Sequence, residues 1–247
     1  MVMMSVEAAK PVFLPGLLCD SRVFAAQMRR FPDAFVIDGF GACDSIAAMA
    51  RRVIATGPDR MSLLGHSMGA RVALEVIRLA PERVERLALV STGTHMIRPG
   101  EAEKRHALLA LGQEQGAAAL IDRWLPPMVA PARRADQALI MPLHRMAVEV
   151  GIDTYAAQIA ALLARPEVEC LLPRIACPTL VAVGEDDEWS PPEQHRFIAD
   201  RIPGAHLKII AGSGHMLPVE APDALNEAIA DWLETPAGSI ITMGEDE

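Results

Sequence analysis

The chain has 247 residues, 51% of them apolar and 22% charged, a composition that excludes a disordered chain and fits one folded core with room for a modest insertion. Its formal net charge of -9, with no basic cluster set against it, excludes nucleic acid as the expected partner. No run of about 18 apolar residues occurs and Met1 to Lys10 contain no signal-like stretch, so the expectation is a cytoplasmic protein with no membrane span.

Short β-like apolar runs alternate with longer helical patterns. The runs are Pro11 to Leu14, Ala34 to Ile37, Met61 to Leu64, Leu87 to Val90, Thr179 to Val183 and Leu207 to Ile210. The helices predicted between and after them cover Phe24 to Arg30, Ile46 to Thr56, Met68 to Leu79, Pro192 to Ile202 and Ala224 to Leu233. Alternation of this kind implies βαβ units and a mostly parallel sheet of about six strands.

Between Val90 and Thr179 the rhythm breaks, and the sequence reads as helix throughout. Predicted helices are Ala102 to Leu111, Ala117 to Leu125, Ala132 to Val150 and Asp153 to Ala164, separated by Gly112, by Pro126, Pro127 and Pro131, and by Gly151. The expected organisation is therefore a core of residues 1–95 and 170–236, a helical lid over 96–169, and a frayed tail over 237–247. Met128, Leu139, Met141, Leu143 and Met146 are candidates for an acyl pocket, although plain packing of the lid on the core would use the same residues. The lid's charges nearly balance, so they point neither to an acidic carrier protein nor to a carboxylate substrate.

Gly65-His66-Ser67-Met68-Gly69 follows the third run and opens the third helix. A serine at a sharp strand-to-helix turn is held in a strained conformation that the flanking glycines permit, with its hydroxyl exposed at a helix N-terminus. Such a hydroxyl needs a base, and the base needs an acid to orient it. Gly184-Glu185-Asp186-Asp187 follows the fifth run and Gly212-Ser213-Gly214-His215 the sixth. Loops at the C-terminal ends of parallel strands converge on one sheet edge, where Ser67 also lies.

With Leu14-Pro15-Gly16-Leu17 after the first run and Glu220-x-Pro222 after His215, these motifs make the chain resemble the α/β-hydrolase superfamily in its small lidded esterase and lactonase branch. The resemblance spans nearly the whole chain and implies Ser67 as nucleophile, His215 as general base and Asp187 as the acid that orients it. The family spacing Gly184-x-x-Asp187 selects Asp187, with Asp186 the alternative. The backbone NH groups of Leu17 and Met68 are the expected oxyanion-hole donors, Pro15-Gly16 standing where the family usually has His-Gly. Family members usually carry two antiparallel strands ahead of the oxyanion strand, and ten residues are too few for them, so a trimmed sheet is expected.

Leu17, Leu18, Met68, Trp189 and Met216 flank these residues and, with Met128 and Met146, are the expected apolar lining of the substrate pocket. The implied activity is hydrolysis of a small or medium carboxylic ester through an acyl-enzyme. A lactonase, a thioesterase or a carbon-carbon bond hydrolase on the same fold remains an alternative, as does a non-catalytic ligand receptor. No metal or cofactor is implied, because no H-x-x-E-H or clustered ligand spacing occurs. Among the other histidines, His66 is expected to pack into the elbow, His95, His106, His144 and His195 to be solvated, and His206 to begin a strand. Cys19, Cys43, Cys170 and Cys177 are expected as reduced thiols packed like small hydrophobes. The sequence leaves the oligomeric state open.

Overall fold

A computed structural model of the chain describes residues 9–237. The expected tail lies, from residue 238 on, outside the described residues, as does any strand formed before residue 9.

Among the described residues six strands form one sheet: β1 (Lys10–Leu14), β2 (Phe35–Val36), β3 (Met61–His66), β4 (Val84–Val90), β5 (Thr179–Gly184) and β6 (His206–Ile210). Their order is β2-β1-β3-β4-β5-β6 and every pairing is parallel. Every residue of β3 and β5 is buried, as expected of strands covered on both faces, whereas the edge strand β6 alternates towards solvent. The chain moves outward from β1 to β2 and then returns to the other side of β1, so the order reverses between β1 and β3. That reversal opens a crevice beyond their C-terminal ends, where Leu14 pairs with Gly65.

The helices that flank the sheet are α1 (Ala25–Arg30), α2 (Ile46–Thr56), α3 (Met68–Leu79), α8 (Pro192–Ala199), α9 (Leu217–Glu220) and α10 (Pro222–Glu234), and between β4 and β5 lie α4 (Glu101–Gln115), α5 (Ala117–Trp124), α6 (Gln137–Val150) and α7 (Ile152–Leu163). Ser45 caps α2 by accepting from the Ala48 NH at 3.2 Å, and Asp136 caps α6 by accepting from Ala138 and Leu139. No single described helix is long and apolar enough to cross a membrane. The apolar pair α6 and α7 turns by 87° at the break between them.

Two expected breaks in this helical segment fall elsewhere. Gly112 does not end α4 but lies inside it, where the missing Cβ admits Leu120, whose Cδ1 would stand 2.8 Å from such an atom. The turn comes at Gly116, whose φ of 94° is the left-handed geometry that favours glycine. The helix expected from Ala132 to Val150 is two pieces, a 3-10 turn over Pro131–Arg133 and then α6, because the Asp136 side chain takes over the backbone donors that a continuous helix would use.

Candidate active site

The elbow is built by β3 feeding directly into α3. Ser67 sits between them at φ 55° and ψ -114°, a strained position for a residue with a side chain. Its NH donates to the Val90 carbonyl at 2.8 Å and its carbonyl accepts from the Thr92 hydroxyl at 3.0 Å, so the end of β4 pins the strained unit from both sides. The flanking glycines are sterically required. A Cβ on Gly69 would overlap the Leu14 carbonyl, and one on Gly65 would overlap the Gly69 carbonyl.

His215 follows β6 and Asp187 follows β5. The Ser67 Oγ lies 2.8 Å from His215 Nε2, and His215 Nδ1 lies 2.9 Å from Asp187 Oδ2. The other oxygen of Asp187 accepts from the NH groups of Trp189 and Ser190 at 2.9 and 2.8 Å. Burial pushes the Asp187 carboxyl up, but His215 and the Ser190 NH outweigh it and hold the group below the ordinary carboxylate range. Asp187 is buried while Asp186 is exposed, so between the two neighbours only Asp187 reaches the imidazole. A hydroxyl, an imidazole and a carboxylate in this chain can move a proton off the hydroxyl while the carboxylate fixes the tautomer.

Gly16 brings the β1 turn against the elbow, with a position for its Cβ 3.1 Å from that of Ser67, and Leu17 and Met68 both line the cavity beside the hydroxyl. Leu18 does not line it. Its φ is 57°, its side chain is buried, and its NH donates at 2.9 Å to Oε1 of Gln158 on α7. Glu220 ties a second loop to the inserted helices: its carboxylate accepts from the NH groups of Ala130 and Met216 at 2.8 and 3.0 Å, and burial raises its pKa. These contacts explain the Glu220 motif, whose role the sequence did not disclose.

The cavity at Ser67 has a volume of about 60 Å³. Met128, Trp189 and Met216 line it as expected, together with Trp124. Met146 does not: it is buried in the core, and Met141 is exposed on the surface. Apolar residues near a site in sequence are placed by whichever packing face they occupy, and these two helix positions face elsewhere.

The expectation of an apolar pocket also needs correction, because Arg71, His95, Glu101, Arg105 and Arg165 form much of its wall. Arg165 holds Glu101 with two hydrogen bonds of 2.6 and 2.8 Å, and Arg105 adds two more from the same helix as Glu101. Burial opposes ionisation of Glu101, but these guanidiniums prevail and lower its pKa to about 2. The sequence reading missed all five. Arg71 carried the one local signal, since it stands four residues after Ser67, on the same face of α3.

Two histidines expected in solvent are not there. His195 is fully buried, with Nε2 accepting from the Thr92 NH at 2.8 Å and Nδ1 donating to the Pro191 carbonyl at 3.2 Å. His95 is half-buried on the cavity wall. His66 packs in the elbow as expected; burial lowers its pKa to about 3 and keeps it neutral. All four cysteines are free, and burial raises the Cys19 thiol to about 12, away from nucleophilic use. Cys170 is exposed instead of packed. Among the described residues no group of three His, Cys, Asp or Glu side chains is placed to hold a metal.

Residues 11–228 match the model of the alpha/beta hydrolase family. The chain belongs to that family. Among its relatives, a protein of a Caulobacter species (strain K31) provisionally named carbamate hydrolase RutD is 30% identical over 203 residues, covering 78% of this chain and 74% of that one. Its namesake from Pseudomonas savastanoi pv. phaseolicola is 28% identical over 92% of this chain and 94% of its own. Among solved structures, a thermophilic esterase from Thermogutta terrifontis, described with malate bound, superposes with a TM-score of 0.81 at 28% identity, covering 92% of this hydrolase and 90% of the esterase. The enol-lactonase from Burkholderia xenovorans LB400 shares the fold, with a TM-score of 0.80 at 23% identity over 92% and 91% of the two chains.

Proposed function

We propose that this alpha/beta hydrolase is a serine hydrolase of small carboxylic esters, working through an acyl-enzyme. The observation that carries the reading is the hydrogen-bonded series from Ser67 Oγ through His215 to Asp187, at 2.8 and 2.9 Å. His215 Nε2 takes the hydroxyl proton as Ser67 Oγ bonds to the ester carbonyl carbon. The carbonyl π electrons move to oxygen, and the backbone NH groups of Leu17 and Met68 receive that charge. Each preorganised donor of this kind is worth roughly 3 to 4 kcal/mol in the transition state.

Collapse of the tetrahedral species breaks the bond to the alcohol oxygen, which leaves with the proton held by His215. Water then enters, gives a proton to His215 and attacks the acyl carbonyl; the second collapse returns the proton to Ser67 and releases the acid. Asp187 keeps the imidazole oriented and stabilises its cation in both halves. The helices between β4 and β5 act as a lid, joined to the core machinery at Leu18 and at Ala130.

A second reading follows from the relatives named for carbamates: the same attack on a carbamate would leave a carbamoyl group on Ser67. Steady turnover of nitrophenyl acetate and butyrate, with nitrophenyl carbamates giving one burst and slow recovery, is expected for the ester reading. Faster steady turnover of the carbamates than of the esters would reverse the order of the two.

A further inference from the structure

Arg71 is only 6% exposed, yet no carboxylate pairs with it among the described residues. Its Nη2 donates to the His95 carbonyl at 2.7 Å, while its Nη1 is buried and has no hydrogen-bond partner. A buried guanidinium with an open donor is costly unless something arrives to accept from it. Arg71 lies in the first turn of α3, four residues after Ser67, and the two line the same cavity. The guanidiniums of Arg71, Arg105 and Arg165 line that cavity with the carboxylate of Glu101, so its wall carries a positive excess.

Glu101 accepts two hydrogen bonds from Arg165 and two from Arg105, and none from Arg71, whose hydrogen bond goes to the His95 carbonyl. Burial draws the Arg71 pKa down to about 9, with Arg165 and Arg105 adding to the effect and Glu101 and Glu169 opposing it only in part, a penalty that an incoming anion relieves.

We infer that Arg71, backed by Arg105, is a carboxylate subsite, and that the substrate is an ester whose acyl or alcohol part bears a second, ionised carboxyl group. This rests on the serine-hydrolase reading for the reaction, though not for the binding. The unpartnered Nη1 of Arg71 and the guanidinium of Arg105 on the same cavity wall supply N–H donors of the kind that pair with a carboxylate. The placement one helical turn beyond the nucleophile suits a short spacer between the carboxylate and the scissile carbonyl.

Monomethyl glutarate and dimethyl glutarate carry the same scissile methyl ester and differ in the free carboxylate. For the full-length enzyme, kcat/KM is expected to be at least about tenfold higher for the monoester, and that ratio to fall at least about tenfold in Arg71→Met, with Arg71→Lys in between because it keeps the charge without the fork. A ratio near one in the wild type, or one unchanged in Arg71→Met, overturns the subsite. Calorimetry of glutarate binding to Ser67→Ala separates the two readings. Saturable binding that disappears in the Ser67→Ala, Arg71→Met double variant supports the subsite even where neither ester is hydrolysed. Absence of glutarate binding in a protein whose wild type is labelled at Ser67 by a fluorophosphonate overturns the subsite and leaves the serine hydrolase standing. Inorganic phosphate binding more tightly than glutarate overturns the carboxylate class. Should Arg71→Met fail to fold, the wild-type ratio and glutarate binding to Ser67→Ala still decide.

Discussion

The NH of Leu18 donates to Oε1 of Gln158 across 140 positions of sequence, so the inserted helix α7 holds the turn that follows β1. Leu18 is in the left-handed region there, a conformation that needs external support in a residue with a side chain. The adjacent Leu17 NH is one of the two proposed oxyanion donors, and its aim depends on that support. Gln158→Met keeps the volume and removes the acceptor. It is expected to lower kcat roughly tenfold with a smaller change in KM, because the loss falls on the transition state. Steady-state kinetics on a nitrophenyl ester check it; a change confined to KM would place Gln158 in substrate binding instead.

The two neighbouring aspartates separate cleanly. Asp187→Asn is expected to reduce kcat about 10⁴-fold, through loss of the tautomer and of the charge that stabilises the imidazolium. Asp186→Asn, on an exposed side chain, is expected to stay within about twofold. Equal losses in the two variants would show that the carboxylate is shared.

The elbow glycines give a stability prediction. A Cβ on Gly69 would overlap the Leu14 carbonyl, a backbone atom in the sheet that cannot swing aside. Gly69→Ala is therefore expected to cost at least about 2 kcal/mol and to lower the melting temperature. Chemical denaturation measures it, and an unchanged midpoint would mean that β1 and α3 can part without cost.

His195 sets an acid limb of stability. Burial lowers its pKa from 6.5 to about 4, and Nε2 must stay unprotonated to accept from the Thr92 NH. The unfolded chain thus binds a proton that the folded one refuses between pH 6.5 and 4, so stability is full above the unfolded value and falls as the pH drops through that window. The loss from this one group is roughly 3 kcal/mol. His195→Gln should flatten the slope of unfolding free energy against pH over that window, whatever its effect at neutral pH. A slope identical to wild type would assign the acid sensitivity to other groups.

Much of the architecture was legible because it is local. Six apolar runs separated by helical periods led to the six-stranded parallel sheet, and Gly65 to Gly69 between a strand and a helix marked the elbow by spacing alone. Asp187 and His215 could be singled out because each lies in a loop directly after a strand, and the structure brings them within 2.9 Å of each other. What escaped depends on contacts between distant segments. Arg165 meets Glu101 64 positions away, so neither looked like part of a cavity wall in the sequence. Leu18 and Met146 failed as pocket residues because an apolar side chain near a site in sequence carries no sign of which face it packs. Gly112 read as a helix break, although its use is close contact with Leu120 inside α4.

The proposed chemistry stands on Ser67 as the nucleophile, activated by His215. Its most direct test is labelling of the purified full-length protein with a fluorophosphonate, mapped by peptide mass spectrometry. One label per chain is expected, on the peptide that carries Ser67, abolished in Ser67→Ala and strongly slowed in His215→Ala. A folded wild type that takes no label, or takes it at another residue such as Ser190 or Ser213, would contradict it.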